Sequence, residues 1–326
     1  MRRRWARTVL WMFLRMVLRT FLRTFLRMSG RALCALAAAA ALPVLAQSPV
    51  SPTDSGRQFE AGRGAELQQW QWRAQRGTEP TPAHKAVQVV LEAIQKRDCA
   101  GAVAGLNAGL AKSYPEIFTL AGALYEEGVC VRQNWQRAEG LYQRAVAVNH
   151  PGVAARLAAG YASAAGGRDL AASLWWAARA KTAQPAVCAA VVPLAEDADK
   201  FIAALQAWPA GQLGRCAYAA AVMASVQAEL EQPDFAASQG MAGTVVLNFV
   251  PAQGRIDIQD NGVDAPPAVG VVTAGSSQDL ERRAARKAFQ AQIREAADRA
   301  LKRFDRPAGI PAEWAAQARP VFQPAR

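Results

Sequence analysis

The sequence predicts a mainly α protein: an α-solenoid of helix-hairpin repeats followed by a small α+β unit of order ββαβ. Three observations carry this. Tyr125 in AGALYEEG and Tyr161 in RLAAGYASAAGG lie 36 residues apart, and Tyr142 in RAEGLYQRA and Trp176 in AASLWWAARA lie 34 apart. That spacing is one helix pair of a solenoid, a unit that buries its apolar face mainly against its neighbours. Apolar positions recur at intervals of three and four between residues 84 and 181, the helical period. After residue 243 the period changes to two, the strand period.

The first 46 residues are set apart from the fold. Residues 32–46 (ALCALAAAAALPVLA) form an apolar run behind Arg27 and Arg31, and small or apolar Val44 and Ala46 precede Gln47. This is the pattern of an export signal, with cleavage expected after Ala46. The other reading is an uncleaved anchor, for which the run falls short of the roughly 20 residues a spanning helix needs. Upstream, FLRM, VLRT, FLRT and FLRM place Arg15, Arg19, Arg23 and Arg27 four apart. We read this as a short tandem duplication ahead of a start at Met28, the alternative being a basic amphipathic helix at a membrane surface.

Setting this segment aside changes the charge. Nine of the 38 Lys and Arg residues lie in 1–46 and no acid does, so 29 bases face 26 acids in the remainder. The strong basicity that would favour a nucleic-acid partner therefore belongs to the leader, and no nucleic-acid binding is expected. Cys34 leaves with the signal, while Cys99, Cys130, Cys188 and Cys216 remain, an even set fitting an oxidising compartment. Four cysteines allow three pairings. Sequential pairing is preferred because each bridge would clip one helical hairpin, closing a loop worth about 3 to 4 kcal/mol. The spacings lack the close ligand pair of a zinc site, so no metal is expected.

Along the remaining chain, residues 47–83 read as a flexible leader with one possible helix around Trp70 and Trp72 (AELQQWQWRAQ). The solenoid spans 84–231. Its first helices are expected at 84–96, 100–111, 115–127, 135–148, 151–164 and 169–181, with Pro115 and Pro151 in first turns and Gly128, Gly166 and Gly167 at ends. Ala121, Gly122, Ala138, Ala145 and Ala158 are small enough to let helices approach closely. Residues 185–233 promise two or three further helices with no clear repeat. Glu196, Asp197 and Asp199 there read as a favourable arrangement at a helix start rather than as metal ligands.

Leu120, Leu124, Tyr125, Gly128, Val131, Ala138, Tyr142 and Ala145, followed by Leu157, Gly160, Tyr161, Ala172 and Trp176, resemble the Sel-one-like repeat, a relative of the tetratricopeptide repeat. Gly105 and Leu106 precede Gly140 and Leu141 by 35 and extend the likeness to a preceding unit. The resemblance covers 80 to 100 residues. It implies an α-solenoid that acts as a protein-binding scaffold, often in bacterial envelopes. Cys130 and Asn134 depart from the family's usual Gly and Asp.

A linker is expected at 232–242, and the C-terminal unit spans 243–326. Val245, Leu247 and Phe249 alternate, PAQG makes a turn, and Ile256 and Ile258 alternate again. Residues 259–275 read as a loop. Ser276, Ser277 and Asp279 then fit a capping box ahead of a helix whose face is marked by Leu280, Ala284, Ala288, Ile293, Ala297, Leu301 and Phe304. A short strand at 320–323 closes the unit. Gly243, Val245, Leu247, Phe249, Gly254, Ser276, Ser277, Leu280, Ala284 and Ala285 resemble the C-terminal domain of TonB-type energy transducers. An insertion at 259–275, a helix of about twice the expected length and the missing Pro-rich spacer depart from that pattern.

No catalytic chemistry is legible. His84 and His150 are read as exposed loop residues, and no nucleophile elbow, phosphate loop, zinc-protease or dinucleotide motif occurs. The expected function is a non-catalytic periplasmic scaffold for protein interaction that needs no cofactor. Its membrane contact would be limited to an uncleaved signal. The candidate partner-binding side chains are Trp175, Trp176, Tyr125, Tyr142 and Tyr161, with Trp175 favoured because Trp176 points inward. The alternative is a TonB-type transducer or adapter that binds an outer-membrane partner through its C-terminal domain.

Overall fold

A computed structural model of the protein describes residues 81–164, 166–230, 242–264 and 277–322. The export signal, the repeated basic run, the Trp70/Trp72 helix and all but the last residue of the 232–242 linker lie outside them. Among the described residues the chain is mainly helical, with one four-stranded antiparallel sheet.

The described residues begin with six helices: α1 (Pro82–Gln95), α2 (Cys99–Ala111), α3 (Pro115–Glu127), α4 (Trp135–Ala147), α5 (Val153–Ala162) and α6 (Leu170–Arg179). They pack most closely as α1 with α2, α3 with α4 and α5 with α6. The second helix of each pair begins with the same device. Asp98, Asn134 and Asp169 each accept a hydrogen bond from the backbone N–H three residues on, of Gly101 at 2.8 Å, Arg137 at 3.0 Å and Ala172 at 2.9 Å. These caps satisfy donors that a helix start leaves orphaned. They recur at intervals of 36 and 35 residues, the period of the aromatics.

The small residues lie where the helices touch. A Cβ on Gly122 would sit 2.4 Å from Cε1 of Tyr142, and one on Gly160 would sit 2.0 Å from Cη2 of Trp135. Both glycines therefore admit an aromatic ring from the neighbouring α4. Gly160→Val should lower unfolding free energy by about 2 to 3 kcal/mol through overpacking, read from urea denaturation. A change below about 0.5 kcal/mol would mean that the ring moves aside freely. Gly128 caps α3 in the left-handed region, φ 72°, which ends the helix and turns the chain toward α4. Pro151 differs from expectation: it lies in a turn, and Gly152 is the cap of α5.

The next segment holds α7 (Ala186–Ala189), a 3-10 turn (Val192–Leu194), α8 (Ala198–Gln206) and α9 (Gln212–Glu229). Helix α9 is buried along its length from Cys216 to Val226 because α5, α6 and a later helix, α10, pack around it. Disulfides join Cys99 to Cys130 and Cys188 to Cys216. The first ties the start of α2 to the turn after α3, and so links successive helix pairs rather than clipping one hairpin. The second ties α7 to α9.

Strands β1 (Ala242–Val250) and β2 (Arg255–Asp264) form an antiparallel hairpin, followed by α10 (Ser277–Arg303), β3 (Ala316–Ala318) and β4 (Val321–Phe322). Val245, Leu247 and Phe249 are all buried, as their alternation requires. The strand β2 runs on to Asp264, into residues read from sequence as loop. Both β3 and β4 pair with the same side of β1, β3 opposite Leu247 to Phe249 and β4 opposite Gly243 and Thr244. Between them stands Pro320, which has no N–H to donate to a ladder. The buried face of α10 carries Ala285, Phe289, Ile293, Ala296, Ala297 and Ala300, with buried Phe304 just beyond its end, while Leu280 and Ala284 are exposed. The predicted face was misphased over its first turns because Phe289, edge-on to Phe322 with centroids 4.8 Å apart, sets the inward side. The side chains of the expected capping box lie outside those described.

One hydrophobic core takes in residues from α1 through β4, on both sides of the expected linker. No helix among the described residues is long and apolar enough to cross a membrane.

Candidate functional site

The five aromatic side chains singled out from the sequence divide by burial. Tyr142 on α4 is fully buried, and its hydroxyl donates to Oε2 of Glu126 at 2.7 Å. Its ring fills the gap that Gly122 leaves, so it has no surface to offer a partner. Tyr125 on α3 is buried under the Arg137 guanidinium, 4.8 Å from its ring centroid. Burial raises its phenol above the ordinary value, with Arg137 acting in the opposite sense. Trp176 on α6 is also buried and meets Trp175 edge-on at 4.8 Å. These three side chains serve packing, because the period that made them repeat points them inward.

Tyr161 and Trp175 are half-buried. The Tyr161 ring stands edge-on to Trp135 at 5.3 Å, and its hydroxyl donates to Oε1 of Glu139 on α4. Burial, and then the hydrogen bond and charge of Glu139, push its phenol upward. The Trp175 ring lies under the Arg179 guanidinium at 4.6 Å, a cation over an aromatic face, and packs half-buried against the edge of the core. Its Nε1 is shielded from solvent and has no hydrogen-bond partner. Of the five aromatic side chains, Trp175 and Tyr161 keep exposed area, as do the guanidinium groups of Arg179 over Trp175 and Arg137 over Tyr125.

Neither histidine is the exposed loop residue expected. His84 lies in the first turn of α1, held through its backbone N–H by Thr81 Oγ1. His150 is half-buried in the turn before α5, and its Nδ1 lies 3.2 Å from Thr119 Oγ1. Thr119 also donates to the Pro115 carbonyl, so the contact is part of the α3 start. In the acidic trio, Asp197 caps α8 by accepting from Lys200 N–H at 3.1 Å, which holds its carboxyl below the usual range. Glu196 and Asp199 point to solvent. No group of three or more metal-ligating side chains gathers among the described residues.

Sequence reasoning missed a set of buried ion pairs. Glu229 at the end of α9 accepts from Arg299 Nε at 3.0 Å and Nη2 at 2.7 Å. Glu126 near the end of α3, already bonded to Tyr142, also receives Arg303. Both glutamates are buried, with side-chain exposures of 3% and 5%. The available signal was a charge at an inward position of an otherwise apolar helix. The partner was invisible, since Arg303 and Glu126 are 177 residues apart. No family model matches the chain, and no curated protein and no solved structure matches it.

Proposed function

We propose that the chain is a non-catalytic protein-binding scaffold of the periplasm, an α-solenoid of Sel-one-like repeats carrying a small TonB-like α+β unit. The observation that carries this reading is the repetition of one structural unit: three helix pairs whose second helices start on Asp98, Asn134 and Asp169 with the same cap. Stacked helix pairs present an extended surface rather than a closed cleft, and such surfaces bind other proteins. The two disulfides support an oxidising compartment. An export signal ending at Ala46 would deliver the chain there.

The partner lies against the Trp175 side of α6, with Trp175 and Arg179 as its central contacts and Tyr161 beside them. Tryptophan and arginine are the side chains most often found to dominate such contacts. Trp175→Ala should weaken partner capture by about tenfold or more, measured by crosslinking in the periplasm and quantitative mass spectrometry, with little change in melting temperature. A large fall in melting temperature with undiminished capture would assign Trp175 to the core instead.

A further inference from the structure

Groups of one sign gather beside the first turns of α9. Gly211 caps this helix without a side chain, and the N–H groups of Leu213 and Gly214 have no acceptor among the described residues. A helix start carries about half a positive charge and is ordinarily met by an acid. Here a cation folds back over it instead. A Cβ on Gly211 would sit 3.0 Å from Nη1 of Arg215, and the buried Nε of Arg215 has no hydrogen-bond partner. A cation against a helix start is unfavourable unless an anion joins the two. Arg215 also reaches the loop after α10, where a Cβ on Gly309 would sit 3.8 Å from its Nη1. Three residues earlier in that loop, Nη1 of Arg306 donates to the neutral Ala252 carbonyl at 3.0 Å, over the turn between β1 and β2. Asp305 turns away to Arg168, so neither Arg215 nor Arg306 has a carboxylate partner among the described residues.

Tyr218, one turn beyond Arg215 on α9, is 6% exposed, yet its hydroxyl has no hydrogen-bond partner among the described residues. A buried polar group without a partner is unfavourable. A Cβ on Gly254 would sit 3.5 Å from Nη1 of Arg306 and 3.8 Å from the Tyr218 hydroxyl, so the guanidinium and the phenol tip stand over one glycine. Burial raises the phenol above its ordinary value, with Arg306 acting in the opposite sense, and it keeps a hydrogen to donate at neutral pH. The helix start, the two guanidinium forks and the phenol are all donors. A carboxylate is satisfied by one fork in one plane, whereas donors arriving from a helix start, a loop and a hairpin turn suit an anion with oxygens in several directions. We infer that the start of α9, Arg215, Tyr218 and Arg306 form a binding site for a phosphate group, free or carried on a lipid headgroup. Arg215 and the helix start take one side of the group, and Arg306 and the Tyr218 hydroxyl take another. The absence of side chains at Gly211, Gly254 and Gly309 lets its oxygens come close to the backbone.

Equilibrium dialysis of radiolabelled inorganic phosphate against the full chain at low ionic strength tests this. The wild type should bind phosphate saturably, and acetate at the same concentration should not displace it. Arg215→Gln and Arg306→Gln should each weaken binding at least about tenfold, and Tyr218→Phe, which keeps the buried ring, at least about threefold. Lys200→Gln, which removes an exposed cation on α8, should leave binding unchanged. Vesicles of phosphatidylcholine with and without phosphatidic acid separate the sources of the phosphate group. Sedimentation with vesicles that needs both phosphatidic acid and Arg215 assigns a lipid headgroup, and phosphate binding without it assigns a soluble phosphate. No binding in either arm, displacement by acetate, or binding that both arginine variants retain would overturn the site. If the arginine variants do not fold, Tyr218→Phe decides: the threefold loss supports the site, and unchanged affinity overturns it.

Discussion

Replacing Cys99 and Cys130 together by serine should lower the stability of the folded chain by about 3 to 4 kcal/mol, the loop-closure entropy the bridge removes from the unfolded chain. The bridge closes a loop with a sequence separation of 31 and joins the start of α2 to the turn after α3. It therefore holds two successive helix pairs in register. Cys130 is also buried and sits at a positive φ of 56°, so its serine replacement leaves a hydroxyl in an apolar turn. Urea denaturation under oxidising conditions measures the loss, and reductant should destabilise the wild type by at least as much because it opens both bridges. Equal stabilities for wild type and variant would mean that packing alone fixes this register.

Phe249→Ala should cost about 3 to 5 kcal/mol, the range for removing a fully buried aromatic side chain. Phe249 lies in β1 between Ile256 of β2 and Ala316 of β3, with no exposed surface. From the helical side Tyr218 of α9 meets its ring at 5.9 Å. The truncation thus opens a cavity where sheet and helices share one core, and the urea midpoint should fall accordingly. Val321→Ala on β4, which is 66% exposed, serves as the control and should change stability by no more than about 0.5 kcal/mol. A small effect at Phe249 would show that the sheet packs only loosely on α9.

The elements that repeat were the legible ones. Helices expected at 115–127 and 135–148 occur as Pro115–Glu127 and Trp135–Ala147, because local signals such as Pro115, Gly128 and the Asn134 cap set their ends. The caps at Asp98 and Asp169 obey the same period but went unread, Asp169 having been placed inside its helix rather than ahead of it. The face of α10 was less so. Alanine-rich helices carry a weak apolar pattern, and its phase was decided by Phe289 meeting Phe322, a contact between elements rather than within one. The short strand β3, with the sequence AQA, has no strand composition of its own and exists because β1 offers an edge.

Site residues were legible only in kind. Periodicity identified Tyr125, Tyr142 and Trp176, but the property that makes a residue periodic is inward orientation, which buries it. Trp175 was separable because its neighbour already occupied the inward position. The Glu126 and Glu229 pairs were hidden since a lone charge in an apolar helix indicates a partner without naming it. Arg303 and Arg299 had no local feature to distinguish them from the other basic residues of α10.

The proposed scaffold role turns on whether the Trp175 side of α6 meets another protein. A photoreactive amino acid placed at position 175 of the exported chain, with another at exposed Val89 on α1, measures this directly. Binding at α6 predicts that irradiation gives one discrete adduct from position 175 and at least about tenfold less from position 89, as a contact confined to a few central residues requires. The same adducts from both positions, or none from position 175, would contradict it.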